Sequence, residues 1–174
     1  MKMKLRKKYI ALISTVLILI SGYLIPESLM IPVQEATSSD WNSNSFWYEP
    51  WGKSGVHKGI DIFSPKGTKV KSSSQGIVLF VGDIPMGGNV VFILGPKWKL
   101  HYYAHLNSIS VSSMSLVRTG DNLGEVGDSG NAKGTPPHLH YSIVSAIPRI
   151  WRIDTTTQGW KKMFFLNPGD ELTN

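Results

Sequence analysis

The sequence predicts an all-β sandwich or barrel preceded by a hydrophobic N-terminal helix, and three observations predict it. Short β-rich runs succeed one another with turn residues between them: Gly76 to Val81, Asn89 to Leu94, Leu100 to Ala104, Asn122 to Val126 and Leu139 to Val144. Strands at that spacing make an all-β fold. No stretch past residue 30 has a convincing amphipathic helical pattern, and 17 glycines and ten prolines favour turns over helices. The long apolar run, by contrast, lies wholly before residue 26.

That run, Tyr9 to Ile25, comes after Lys2, Lys4, Arg6, Lys7 and Lys8, the order of a secretory n-region and h-region. By the positive-inside rule the basic cluster stays in the cytoplasm and the chain beyond Pro26 is translocated. The run is short for a bilayer span and long for an h-region, and Ser21-Gly22-Tyr23 matches the small-x-small cleavage pattern poorly. Residues 1–25 are therefore expected to be a signal anchor or a signal peptide. The remainder is expected outside the cytoplasm, in the periplasm or cell envelope, with the membrane as a partner if the segment is retained. Residues 26–45 mix Ser, Asn, acids and proline without a period and are expected to be a linker. Residues 46–174 have the length for one domain with one core, and a monomer is expected.

The formal charge is +6, but the five leading cations supply most of it. Beyond them 13 basic residues face 12 acidic ones, with no basic stripe, which excludes a phosphate-tracking surface and nucleic acid as a partner. The chain has no cysteine, so any metal site must be built from histidine and carboxylate.

Three elements supply such a site: His57-Lys-Gly-Ile-Asp61, Tyr102-Tyr-Ala-His105 and His138-Leu-His140. Imidazole nitrogen and carboxylate oxygen suit Zn²⁺, and a catalytic zinc takes three protein ligands and leaves its fourth position to water. Strand alternation puts His138 and His140 on one face, behind the stiff entry Gly134-Thr-Pro-Pro137. Gly59, Ile60 and Ile62 disfavour a helix between His57 and Asp61, so a loop running into a strand is expected. Alternation also puts His101 on the face of His105, four residues on, in a solvated or packing role. Trp151, Arg152 and Trp160, in an extension beside the cleft, are expected to pack rather than to bind glycan.

Taken together, these elements resemble the M23 family of zinc metallopeptidases, the lysostaphin-like or LytM-like peptidoglycan endopeptidases. The resemblance runs from about Val56 to Val144. It includes Tyr103-Ala-His105-Leu106, Gly67-Thr-Lys-Val70, Gly76-Ile-Val78, Gly120-Asp121 and Gly127-Asp-Ser-Gly130, and Phe165-Leu-Asn-Pro168 looks like the family's closing segment. The resemblance implies an antiparallel β-sandwich of the hybrid-barrel type, Zn²⁺ as cofactor, and hydrolysis of peptide bonds in peptidoglycan stem peptides or cross-bridges. It further implies His57, Asp61 and His140 as zinc ligands and His105 and His138 as catalytic groups, with base and oxyanion partner left open between the last two. The chain departs from the family at Gly55-Val56, where many members have a long side chain, and at Lys133-Gly-Thr-Pro-Pro137, which bear on substrate fit.

Two other readings compete. A non-catalytic module of the same fold that activates another wall hydrolase generally lacks a ligand, and none is missing here. A lipoyl or biotinyl carrier domain needs a lysine at a hairpin tip, and Asp83 to Asn89 contains none.

Overall fold

Burial sorts the strands of the larger sheet into two faces. Strand β9 (His138–Ser145) lies between β1 (Ile60–Phe63) and β5 (Lys99–Leu106), antiparallel to both. The pairs Ile60↔Tyr141, Ile62↔Leu139, Tyr103↔Tyr141 and His101↔Ile143 put one set of side chains together, and every one of them is fully buried. The alternate rows, Asp61↔His140↔Ala104, Phe63↔His138 and Tyr102↔Ser142, turn to the opposite face. Packing thus consumes one face and leaves Asp61, His138 and His140 on the other.

The computed structural model describes residues 2–173. Met1, Asn174 and the side chains of Lys2–Arg6, which carry three of the five expected leading cations, lie outside the described residues. Among the described residues the larger sheet continues through β4 (Gly88–Leu94), β3 (Gly76–Ile84) and β7 (Leu116–Val117), with β10 (Phe165–Leu166) paired to β9. A three-stranded sheet of β2 (Lys69–Lys71), β8 (Asn122–Glu125) and β6 (Ser108–Ile109) covers its buried face. Val70, Leu123 and Val126 from that side meet Ile60, Ile62, Val91, Ile93, Leu139 and Ile143 in one core, each such side chain contributing about 1.5–3 kcal/mol by leaving water. The expected antiparallel sandwich is observed, and the five expected runs are β3, β4, β5, β8 and β9. β1 is the strand expected after the His57 loop, and the strands not expected are two or three residues long, too short to show an alternation.

An N-terminal helix, α1 (Lys2–Leu24), includes 18 residues, Lys7–Leu24, long and apolar enough to cross a membrane.

Residues 26–45 depart from the linker expectation. They run along β2 with backbone bonds from Met30 N to Ser73 O (3.0 Å), Gln34 N to Lys69 O (3.0 Å) and Lys71 N to Pro32 O (2.8 Å). Val33 and Trp41 are 2% and 6% exposed and belong to the core. The segment is a strap over the edge of the small sheet, a standard way to protect an exposed strand. It pairs by a single bridge, Val33↔Val70, and then turns through a 3-10 segment at Ser38–Asp40. Neither feature imposes a repeat, so the sequence carries no period there. At the strap's start Glu27 meets buried Lys99 at 2.7 Å, and Lys99 also meets Glu171 of the C-terminal helix α2 (Pro168–Thr173) at 2.5 Å.

Candidate active site

Asp61 stands directly opposite His140 across the β1–β9 ladder, and this pairing brings its Oδ1 to 2.8 Å from His140 Nδ1. His57 arrives from the loop before β1. Its backbone is pinned by bonds from Trp47 N to its carbonyl (2.7 Å) and from its own N–H to Tyr48 O (3.0 Å). Its ring stacks under Trp51 with centroids 4.0 Å apart. His57 Nε2 then lies 3.1 Å from both Asp61 Oδ1 and His140 Nδ1. The loop can cross β9 this closely because residue 59 is glycine: a Cβ there would collide with Tyr141 O and Ser142 Oγ.

The outer ring nitrogens fix the tautomers. His57 Nδ1 is 3.0 Å from Ser45 O; a carbonyl only accepts, so Nδ1 carries the proton and Nε2 a lone pair. Ser142 Oγ donates to Lys58 O at 2.8 Å, so at 3.0 Å it accepts from His140 Nε2, leaving the Nδ1 lone pair inward. Burial favours the neutral forms of both Asp61 and His140. The His140 imidazole is pushed down; the Asp61 carboxyl is held well below the usual carboxylate range by positive charge on its His140 and His57 neighbours, a part that a bound cation takes when both rings turn lone pairs inward. Three electron-pair donors therefore converge with no proton between them, an arrangement that a cation makes favourable. Ligand atoms about 2.0–2.1 Å from a tetrahedral zinc stand about 3.3 Å apart, close to the observed 2.8–3.1 Å. The residues fit a mononuclear zinc.

His105 and His138 stand across from these donors. Their rings are 5.0 Å apart, and His105 is 6.0 Å from His140. His105 Nδ1 donates to Ser129 O (2.9 Å) and His138 Nδ1 to Pro136 O (2.8 Å), which leaves Nε2 as the unshared atom of each ring. Burial, with His140 nearby, pushes His105 down to about 4, so it is a neutral imidazole at physiological pH.

Strand alternation misplaced one of the histidines. His101 and His105 do not share a face: His101 is fully buried in the core, its Nδ1 2.7 Å from the Tyr141 hydroxyl. His105 reaches the groove because its φ is +64°, and the pairing of β4 with β5 shifts register between Asn89 and Val91. That left-handed residue rotates the side chain out of the alternation.

The groove has two cavities of about 380 and 350 Å³ that share Trp51, His105 and Asn131. Met86, Tyr102 and His140 line the first, and Phe63, Thr135 and His138 the second. Burial raises the Tyr102 hydroxyl to about 12, so it remains a donor. Sequence reasoning passed over Ser45, Trp51, Tyr102 and Ser142. Ser142 had a signal, since it lies two residues after His140 on the same strand face, as did Tyr102, three residues before His105. The other two come from loops without one.

The extension also departs from expectation. Trp151 and Trp160 are 78% and 55% exposed rather than packed. It does adjoin the loop over the groove, through Trp47 Nε1 to Thr157 O (3.1 Å) and Gln158 Nε2 to Ser54 O (2.9 Å).

The open face of the sandwich brings together two imidazoles and a carboxylate, with further imidazoles opposite, a donor group that could hold one metal ion. Residues 55–150 match Peptidase family M23, more than half of the chain, and the chain belongs to that family. It is 35% identical over 126 residues to an L-Ala--D-Glu endopeptidase of Bacillus subtilis, 67% of this chain and 39% of that protein. The chain thus spans about two-fifths of the length of that curated relative. Among solved structures, a zinc containing peptidase from Vibrio cholerae superposes with a TM-score of 0.55 at 29% identity, over 67% of this chain and 37% of that one. The catalytic domain of lysostaphin from Staphylococcus simulans superposes at 0.62, over 79% of this chain and 96% of that one; at 23% identity it speaks for the fold alone.

Proposed function

We propose that the chain is an extracytoplasmic zinc-dependent endopeptidase that hydrolyses peptide bonds in bacterial peptidoglycan stem peptides or cross-bridges. His57, Asp61 and His140 are the metal ligands, and His105 and His138 the catalytic groups. The observation that carries this reading is the convergence of three proton-free donor atoms within 3.1 Å, facing two further imidazoles. Membership of the family and the name of the Bacillus relative, an endopeptidase of an L-Ala--D-Glu bond, support the substrate class. Residues 1–25 are the export segment, retained or removed, and 46–174 the peptidase domain, with 26–45 strapped across it.

Zinc held there supplies Lewis-acid polarisation of the scissile carbonyl and an acidified water as nucleophile. The chain's own residues do the rest. The Ser129 and Pro136 carbonyls hold the His105 and His138 rings with Nε2 directed at the reaction space, where one ring takes up a proton and the other steadies negative charge on the carbonyl oxygen. Proton transfer by a positioned imidazole contributes ~10²–10⁴-fold. Tyr102, as a protonated hydroxyl, is a further donor in the cavity. Trp51 shields the His57 edge of the centre and walls both lobes of the groove.

The test is digestion of purified peptidoglycan of defined chemistry by the full chain in detergent, beside its His138→Ala variant, with fragments identified by mass spectrometry. New products from the zinc-loaded protein, absent from the variant and after chelation and restored by zinc, are expected and identify the bond. A zinc-containing protein that releases nothing from either stem-linked or bridge-linked material overturns the reading.

A further inference from the structure

The domain end at which α1 joins carries an apolar, cationic surface. The 3-10 turn Pro96–Trp98 between β4 and β5 packs on the helix: Trp98 Nε1 donates to Leu19 O at 2.8 Å, and a Cβ on Gly22 would run into the Trp98 ring. Leu19 lies five residues before the helix end, about 7.5 Å along its axis, so Trp98 meets the helix in its last turns, toward the interface where tryptophan concentrates. The backbone partner of Trp98 is Ala146, whose N–H donates to Trp98 O at 2.8 Å. From Ala146 the extension 147–163 starts at the end of β9 remote from His138, held by Arg149 N to Met163 O (2.7 Å), and its Thr157–Gln158 turn returns to the groove loop.

Ile150, Trp151, Ile153 and Trp160 on this extension are exposed. Arg149, Arg152, Lys161 and Lys162, half-buried in the same segment, face one acid, Asp154, which Lys162 meets at 2.5 Å, for a net +3. Aliphatic and indole side chains set among cations suit an anionic bilayer surface, the apolar groups entering the acyl boundary and the cations meeting lipid phosphates. A glycan platform has no use for two exposed isoleucines. Continuity with the helix exit puts this surface beside the same bilayer that takes up α1.

We propose that the 147–163 extension, with Trp98, docks the domain on the outer surface of the anionic bilayer beside α1. The proposal rests on α1 remaining inserted in the membrane, so its test reports that separately. The chain has no cysteine, and single spin labels can therefore be placed cleanly. The full chain in nanodiscs of mixed phosphatidylglycerol and phosphatidylethanolamine is labelled through Trp151→Cys, through Val16→Cys inside α1, or through Lys133→Cys, an exposed position at the opposite end of β9. Each label is scored by collision with oxygen against a water-soluble nickel chelate.

The ratio of oxygen to nickel collisions is expected to be several-fold higher at 151 than at 133, and to fall toward the 133 value in discs of uncharged lipid. A label at 16 in the bilayer with 151 as wet as 133 overturns the docking alone. A label at 16 in water overturns the anchored reading and the docking with it. Protection at 151 that appears only with added peptidoglycan fragments, or only with two protein copies per disc, assigns the surface to glycan or to a second chain and overturns the proposal. None of these outcomes bears on the peptidase reading, which the digestion assay tests by itself.

Discussion

Ser142 decides which nitrogen of His140 turns toward Asp61 and His57. Its hydroxyl hydrogen is committed to Lys58 O, so it can only accept from His140 Nε2. Replacing Ser142 by Ala removes the partner of that ring N–H and frees the imidazole to rotate or change tautomer. Zinc affinity of the Ser142→Ala variant is expected to fall ~10–100-fold, measured by chelator competition, with the far-ultraviolet circular dichroism unchanged. Half of the observed grouping was legible because it is local: a period of two puts His138 and His140 on one face, and a short loop-to-strand run joins His57 to Asp61, whereas the meeting of Asp61 with His140 comes from the β1–β9 ladder. The face of His105 was not legible. Its φ of +64° answers a register shift on a neighbouring strand, and nothing within a few residues of it encodes that.

At the scale of elements, alternation was strong where strands were long and one face was buried, as in β9 and β5, and absent in the strap. Trp41 distinguishes a strap from a linker. A true linker would tolerate its truncation, whereas a side chain buried in the core leaves a cavity. Trp41→Ala is expected to cost about 3–5 kcal/mol, read from urea unfolding of the full chain in detergent. An effect under about 0.5 kcal/mol, typical of surface substitutions, would return residues 26–45 to linker status. Lys99 gives a second reading of the same element. It is buried between Glu27 and Glu171, and Lys99→Ala would leave Glu27 with only the longer Lys97 contact at 3.5 Å and take from Glu171 its 2.5 Å partner, at a cost of about 3–5 kcal/mol in the same unfolding measurement.

For the molecule as a whole, the buried polar groups set the acid limit. Burial, helped by the Lys99 charge, pushes His101 down to about 3, whereas a histidine in the unfolded chain titrates near ~6.5. Below that pH the unfolded state takes up a proton that the folded state refuses. The stability His101 contributes is complete above pH ~6.5 and is lost as pH falls toward 3. His101→Gln is expected to flatten the stability profile between pH 6 and 4 by up to ~1.4 kcal/mol per pH unit, measured from denaturant midpoints. An identical slope in the variant would place the acid sensitivity elsewhere.

Glu27, two residues past Ile25, is already locked to Lys99, and Gln75 Nε2 holds Pro26 O at 2.8 Å. A hydrolase on a loose leash sweeps a volume of wall around its anchor point. This one has no leash. From Ser145 to His138 the strand β9 spans about 23 Å, so with α1 held in the bilayer the groove rides at a set height and reaches new bonds only by lateral drift of the whole molecule. On the anchored, wall-hydrolysing reading proposed above, its territory is a thin shell of wall next to the membrane, searched in two dimensions.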